Sequence, residues 1–172
     1  MNTKIKISLL ASVVAISVAA CSPSSNGTEQ QGTNNTTETK KADSTLTAKL
    51  YVNPTQKINQ PIELTFTVYN HTDSTRKFCK WHTPFEKLMS SYLDITDENG
   101  TQPQYQGAMA KRIMPPPADS YISVVPGDSL SVKTDLLKAY ALKAPGKYTA
   151  VYNATGISGL VVRDSIAFTV GK

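Results

Sequence analysis

With 172 residues, 40% of them hydrophobic, the chain can bury one sizeable core but not several domains. Its 18 Lys and Arg against 13 Asp and Glu leave a mild positive surplus, and no basic cluster gathers it. That balance excludes nucleic acid as an expected partner.

The N-terminus reads as a secretion signal. Lys4 and Lys6 supply positive charge, and residues 7–20 form an apolar run interrupted only by serines. The run is shorter than the roughly 20 apolar residues that a membrane-spanning helix needs. It ends in Val18-Ala19-Ala20-Cys21, which resembles the lipobox of bacterial lipoproteins. Small residues there fit a narrow peptidase cleft, and the Cys21 thiol would take up diacylglycerol. Acyl chains contribute roughly 0.8 kcal/mol per buried CH₂, so Cys21 is expected to hold the chain on membrane lipid. The other reading is an ordinary signal cut after Ala20. Loss of residues 1–20 leaves 16 basic against 13 acidic groups, and lipidation of Cys21 leaves Cys79 without a disulfide partner.

Residues 21–45 comprise the lipidated Cys and a tether dominated by Ser, Thr, Asn, Gln and Gly, which offers nothing to a core. A coil of that length spans roughly 25 Å. Ser22, where an Asp would favour the inner membrane of enteric bacteria, resembles the outer-membrane pattern, so the expected location is the cell envelope, on the outer membrane of a Gram-negative host. The sequons at Asn34, Asn70 and Asn153 are expected to stay bare.

Residues 46–172 read as a succession of short strands. Residues 46–52 supply the first. Residues 61–70 alternate strictly, with Ile62, Leu64, Phe66 and Val68 on one face and Glu63, Thr65 and Thr67 on the other. After a polar turn come strands at 76–82 and 91–97. The Glu98-Asn99-Gly100 turn then returns the chain through residues 101–105. Residues 120–125, the Pro126-Gly127-Asp128 turn and residues 129–134 follow. Residues 147–153 and 160–170 close the series, and one short helix is expected near 135–142. Seven to eight strands without a βαβ rhythm predict an all-β, immunoglobulin-like β-sandwich, with a small barrel as the second architecture. Pro145-Gly146-Lys147-Tyr148 places Tyr148 either as a tyrosine corner tied to backbone or as a plain core aromatic.

Motifs of catalysis are absent: the sequence has no His-Glu-x-x-His, no Gly-x-Ser-x-Gly and no Gly-rich phosphate loop. Cys79 and His82 lie three apart, on opposite faces of a regular strand, so Cys79 reads as a buried structural thiol and the chain as a non-enzyme without cofactor. His71, Cys79, His82, Met89, Met109 and Met114 are soft ligands that suit copper, yet no tight spacing groups them, and no metal site is assigned. Three segments depart from plain sandwich: residues 81–86 with Trp81, His82 and Phe85, residues 111–119 with Lys111, Arg112, Met114, Pro115, Pro116 and Pro117, and residues 135–140, a short helix or turn before the Pro145 hairpin. Proline-rich loops carry little ordering entropy and expose apolar rings, which suits contact with a partner; the other reading of all three segments is that they simply connect sheets.

Taken in order, the segments at 81–86, 105–107, 111–117, 119–121, 126–127, 135–140 and 145–148 resemble the non-catalytic N-terminal region of deuterolysin-like, peptidyl-Lys-type zinc metalloendopeptidases. That family shows Trp-x-Thr-Pro-Leu-Glu, Tyr-x-Gly, a Lys-Arg-x-x-Pro loop, an acidic-Tyr segment, Pro-Gly, Asp-Leu-x-x-x-Tyr and Pro-Gly-x-Tyr in the same order. Its activity resides in a following domain; the sequence stops at Lys172, just after the last expected strand, so no catalytic residue is expected to carry over. The resemblance implies a free-standing accessory domain that binds, inhibits or assists a secreted metallopeptidase. Trp81, His82, Phe85, Lys111, Arg112, Met114 and Pro115 to Pro117 are the partner-binding candidates. A generic envelope scaffold or adhesion lipoprotein, and a periplasmic metal-handling protein, are the alternatives.

Overall fold

Strict alternation over Glu63–Tyr69 drives Leu64, Phe66 and Val68 inward, and all three are fully buried. The computed structural model describes residues 45–172; the expected signal, Cys21 and all but the last residue of the tether lie outside the described residues. Nine strands are described: β1 (Thr47–Val52), β2 (Thr55–Lys57), β3 (Glu63–Tyr69), β4 (Arg76–Cys79), β5 (Leu93–Asp97), β6 (Tyr121–Val124), β7 (Ser129–Asp135), β8 (Gly146–Tyr152) and β9 (Ile166–Gly171). They form a sheet of order β1-β3-β7, a sheet of order β2-β9-β8-β5 and a β4-β6 ribbon, in agreement with the expected all-β, immunoglobulin-like sandwich.

Leu50 sits opposite Phe66, and Phe66 opposite Val132, so the first sheet presents one apolar layer. Tyr148 pairs with Phe168 and Ala150 with Ile166 on the second sheet. The two inner faces merge in one buried cluster with Leu136, Tyr140, Leu142 and Leu160. Tyr148 satisfies both expectations at once: its ring stacks on Phe168 at 5.7 Å, and its hydroxyl donates to the Ala144 carbonyl at 2.8 Å. The Asn70 amide, fully buried, donates to the carbonyls of Ser74 (2.9 Å) and Val124 (2.8 Å) and so ties the β3 exit to β6.

Several expectations are corrected. The first strand is where it was expected, but beyond it the chain breaks at Asn53-Pro54, where proline has no N–H to donate; Asn53 caps the break by accepting from the Thr55 N–H, and a further short strand, β2, pairs parallel with β9. Residues 101–105 form no strand. The Asp97 carboxylate captures the amides of Asn99 and Thr101, and Pro103 follows, leaving one bridge between Tyr105 and Tyr140. The helix expected near 135–142 is a 3₁₀ turn, Leu136–Lys138, in which the Leu136 N–H donates to the Ile62 carbonyl and the Leu137 N–H to the Asp135 side chain. The last strand begins only at Ile166: Val161 bridges Thr47 instead, bonding with Leu46 and Ala48 at the edge of the first sheet, after a short helix, α1 (Thr155–Ser158), which Gly159 ends at a φ of 74°. Fewer residues are strand than expected.

Candidate functional site

After β4 the chain leaves the sheet and knots on itself. Thr83 is buried; its hydroxyl donates to the Lys80 carbonyl (2.7 Å) and accepts from the Phe85 N–H (3.2 Å). Local satisfaction of this kind turns the segment away from the ladder. His82 takes the left-handed backbone region at a φ of 57°, and its carbonyl accepts from the Tyr152 hydroxyl at 3.0 Å. The knot therefore hangs on β8 and delivers two rings to the interior. Phe85 meets Phe78 edge-on at 5.2 Å and Phe66 at 6.3 Å. Trp81 is only 7% exposed.

The burial of these aromatics corrects the expectation of a surface built on both segments. Trp81 lies in the interior, and Phe85 is partly buried against the core. They support the surface and do not form it. His82 is half-buried, and burial, together with the nearby Arg112 guanidinium, holds its imidazole below the ordinary value; Glu86 acts in the opposite direction.

Arg112 joins the two segments. Its guanidinium carbon lies 4.6 Å from the Trp81 ring centroid, and its Nη2 is ion-paired with Glu86. A planar cation can stack on indole and bond a carboxylate in its own plane, which a lysine could not do. Two further contacts hold the connection. The Ala110 N–H donates to the Met89 carbonyl at 2.8 Å, and the Ser120 N–H donates to the Pro117 carbonyl at 2.9 Å. Gly107 is demanded by space: a Cβ there would stand 2.4 Å from the Tyr105 hydroxyl, whose own bond goes to the Ala108 carbonyl.

These anchors impose an alternation on an extended segment outside any sheet. Ala110 and Arg112 face the body, while Met109, Lys111 and Ile113 face out, with Ile113 82% exposed. Met114, Pro115 and Pro117 continue the exposed surface, and Pro116 is half-buried. The result is an apolar loop with one cation in its outer row. Of the expected contact residues, Lys111, Met114, Pro115 and Pro117 present themselves to solvent. Met109 and Ile113 join them. Their signal in the sequence was apolar character in a proline-bounded stretch with no sheet partner.

Cys79 is buried on β4, in keeping with a structural thiol. Among the described residues no three His, Cys, Asp or Glu side chains converge as metal ligands. His71 instead stacks on Tyr69 at 5.6 Å.

Two β-sheets around a shared core, with a tyrosine tied to the turn before its strand, define an immunoglobulin-like β-sandwich. The chain belongs to the immunoglobulin-like domain family, which it matches over residues 49–158. Such domains typically serve as non-catalytic modules, and the match carries no link to the protease accessory regions that the order of segments resembles. No curated protein matches the chain. Among solved structures, the chain is similar to a β-glucosidase from Listeria innocua in complex with gluconolactone, at 11% identity and a TM-score of 0.36. That similarity covers 74% of this chain and 16% of the β-glucosidase chain, and it carries no argument about this one.

Proposed function

We propose that the chain is a non-catalytic, lipid-anchored envelope protein whose loop at residues 109–117 binds a secreted metallopeptidase. The single observation that carries the reading is the outward row of Met109, Lys111 and Ile113 on a segment that Arg112 and Ala110 hold in place. A pre-ordered apolar segment loses little freedom on contact, so more of its burial appears as affinity. Lys111 favours an acidic rim on the partner. Pro115, Pro116 and Pro117 have no backbone N–H, which starves a peptidase that pairs its substrate as an added strand. The order of segments shared with deuterolysin-like accessory regions supports a peptidase as the partner, and inhibition or assistance would both use this contact.

The test has two arms. Full-length chain, immobilised through its C-terminus, is exposed to the proteins secreted by the cell that makes it, and zinc-dependent peptidase activity on the resin is measured. Wild type should retain activity that a chelator abolishes; the double variant Ile113→Ser with Met114→Ser should lose it while keeping its thermal midpoint. Equal retention by both chains overturns the reading. For the anchor, Cys21→Ala should abolish palmitate labelling and release the protein from the outer-membrane fraction. Unchanged labelling would remove the lipoprotein part.

A further inference from the structure

Met89, Met109 and Met114 are the methionines among the described residues, and they differ sharply in surroundings. Met109 is 72% and Met114 67% exposed, whereas Met89 is partly buried and its carbonyl receives the Ala110 N–H. None of these three methionines belongs to the buried core. Chemistry that alters thioethers would therefore fall on the loop and leave the packing that holds the sandwich untouched.

We infer that Met109 and Met114 are oxidation sites, and that conversion to sulfoxide turns the contact loop from apolar to polar; the consequence for binding rests on the function proposed above. The co-reactant is a peroxide. A sulfur lone pair attacks one peroxide oxygen, the O–O bond breaks, an S–O bond forms and water leaves. The sulfur is oxidised by two electrons and the peroxide is reduced by two. Thioether oxidation follows access, and the product is polar and chiral where the reactant was a flexible hydrocarbon-like chain. Met114 follows Ile113 directly and Met109 precedes it by four residues in the same exposed segment, so two additions of one oxygen each would place two strong dipoles on one apolar loop. The anchors of the loop make no use of either sulfur: they are the Arg112 stack on Trp81, the Ala110 bond and the Ser120 bond. The oxidised loop would keep its path and change only its surface. A sulfoxide is enzymatically reducible, so the change is reversible.

The full-length chain is treated with dilute hydrogen peroxide and followed by peptide mapping, thermal midpoint and retained peptidase activity. Met109 and Met114 should each gain one oxygen several-fold faster than Met89. The midpoint should hold, and retention should fall about tenfold or more, the size expected when a buried methionine contact is lost. The variant Met109→Leu with Met114→Leu has no exposed thioether in the loop, so treatment should leave its retention, whatever that is beforehand, unchanged. Oxidation of Met89 at the same rate, a midpoint that falls with oxygen uptake, or undiminished retention by the fully oxidised chain would overturn the inference. An untreated chain that retains no peptidase, yet oxidises first at Met109 and Met114, would overturn the binding reading and leave the assigned oxidation sites standing.

Discussion

Arg112 covers the outer face of Trp81 at 4.6 Å, so a residue of the proline-rich connection closes the core at the point where β4 ends. Indole burial and loop position are thereby one property of the molecule. The guanidinium needs the ring and the Glu86 carboxylate to hold its place, and the ring needs the guanidinium to exclude water. The outward row of Met109, Lys111 and Ile113 is a consequence of this contact.

Arg112→Ala should therefore loosen the loop before it unfolds the sandwich. It removes the stack on Trp81 and leaves Glu86, only 13% exposed in its side chain, without its cation. The expected cost is about 2 kcal/mol, from a partly desolvated cation–π contact and an unpaired carboxylate. Chemical denaturation gives that number, and hydrogen exchange at the Ala110 amide reports the loop directly. Arg112→Lys should recover less than half of the loss, because a point charge cannot stack and chelate at once. Unaltered exchange at Ala110 in the alanine variant would show that the loop is held by something else.

The same knot sets the pH response. His82 is held below the ordinary value of 6.5, first by burial and then by Arg112. As the pH falls through 6.5 the unfolded chain takes up a proton that the folded imidazole resists, so stability declines until the folded imidazole also protonates. At the other limb, burial raises the Tyr152 phenol from 10.0 to about 12. Its contribution is complete below pH 10 and is lost as the pH rises towards 12. Denaturation midpoints measured from pH 4 to 11 should flatten on the acid side in His82→Asn, a residue that tolerates the left-handed backbone found there. Tyr152→Phe should weaken the alkaline decline without abolishing it, since burial also raises the hydroxyls of Tyr92, Tyr105, Tyr140 and Tyr148. An acid limb unchanged in His82→Asn would contradict the assignment.

How far the sequence reveals this arrangement depends on the range of the interaction concerned. Period-two alternation located β3 and β7 within two residues, because each strand buries one face and the pattern is local. The strand expected at residues 101–105 failed through competition: the Asp97 side chain takes backbone amides that a ladder would have used. α1 has no apolar period to betray it, being four residues long. Trp81 and Phe85 beside Pro84 suggested a surface for a similar reason. Their burial depends on a cation supplied by a distant segment and on rings from β3 and β4. The proline-rich loop itself was legible as a candidate contact. That its outer row would be Met109, Lys111 and Ile113 was not, since the alternation is set by bonds to Met89 and Trp81.

Asn70 offers a test of the core alone. Beyond its two donated bonds, its side-chain oxygen accepts from the Thr72 N–H at 3.0 Å and lies 2.7 Å from the Thr72 hydroxyl. Its backbone also bonds with Asp128 and Gly127 in the turn between β6 and β7. Asn70→Ala would take one donor from the Val124 carbonyl and leave the Thr72 amide without its acceptor in a buried setting, at a cost of about 2 kcal/mol. Thermal or denaturant unfolding measures it. A loss under about 0.5 kcal/mol would mean that water replaces the amide, which the full burial of Asn70 argues against. The same burial keeps the Asn70 sequon closed to glycan attachment in the folded protein.

Support and contact respond differently to substitution. Trp81→Ala excavates a buried indole and should cost about 3–5 kcal/mol of folding stability, whatever the protein binds. Because Arg112 loses its platform in the same stroke, the loop should become mobile and peptidase retention should fall as a secondary effect. Met114→Ser removes an exposed thioether and should leave stability within about 0.5 kcal/mol of wild type. If the outer row makes the contact, retention by Met114→Ser should still drop, by about tenfold for one anchor side chain lost from an interface. The two variants thus predict opposite ratios of stability loss to binding loss, measured side by side as denaturation midpoint and retained zinc-dependent activity. Binding that follows stability in both variants would assign the contact to the sandwich as a whole. Full retention by Met114→Ser, joined by full retention in Ile113→Ser, would remove the loop from consideration.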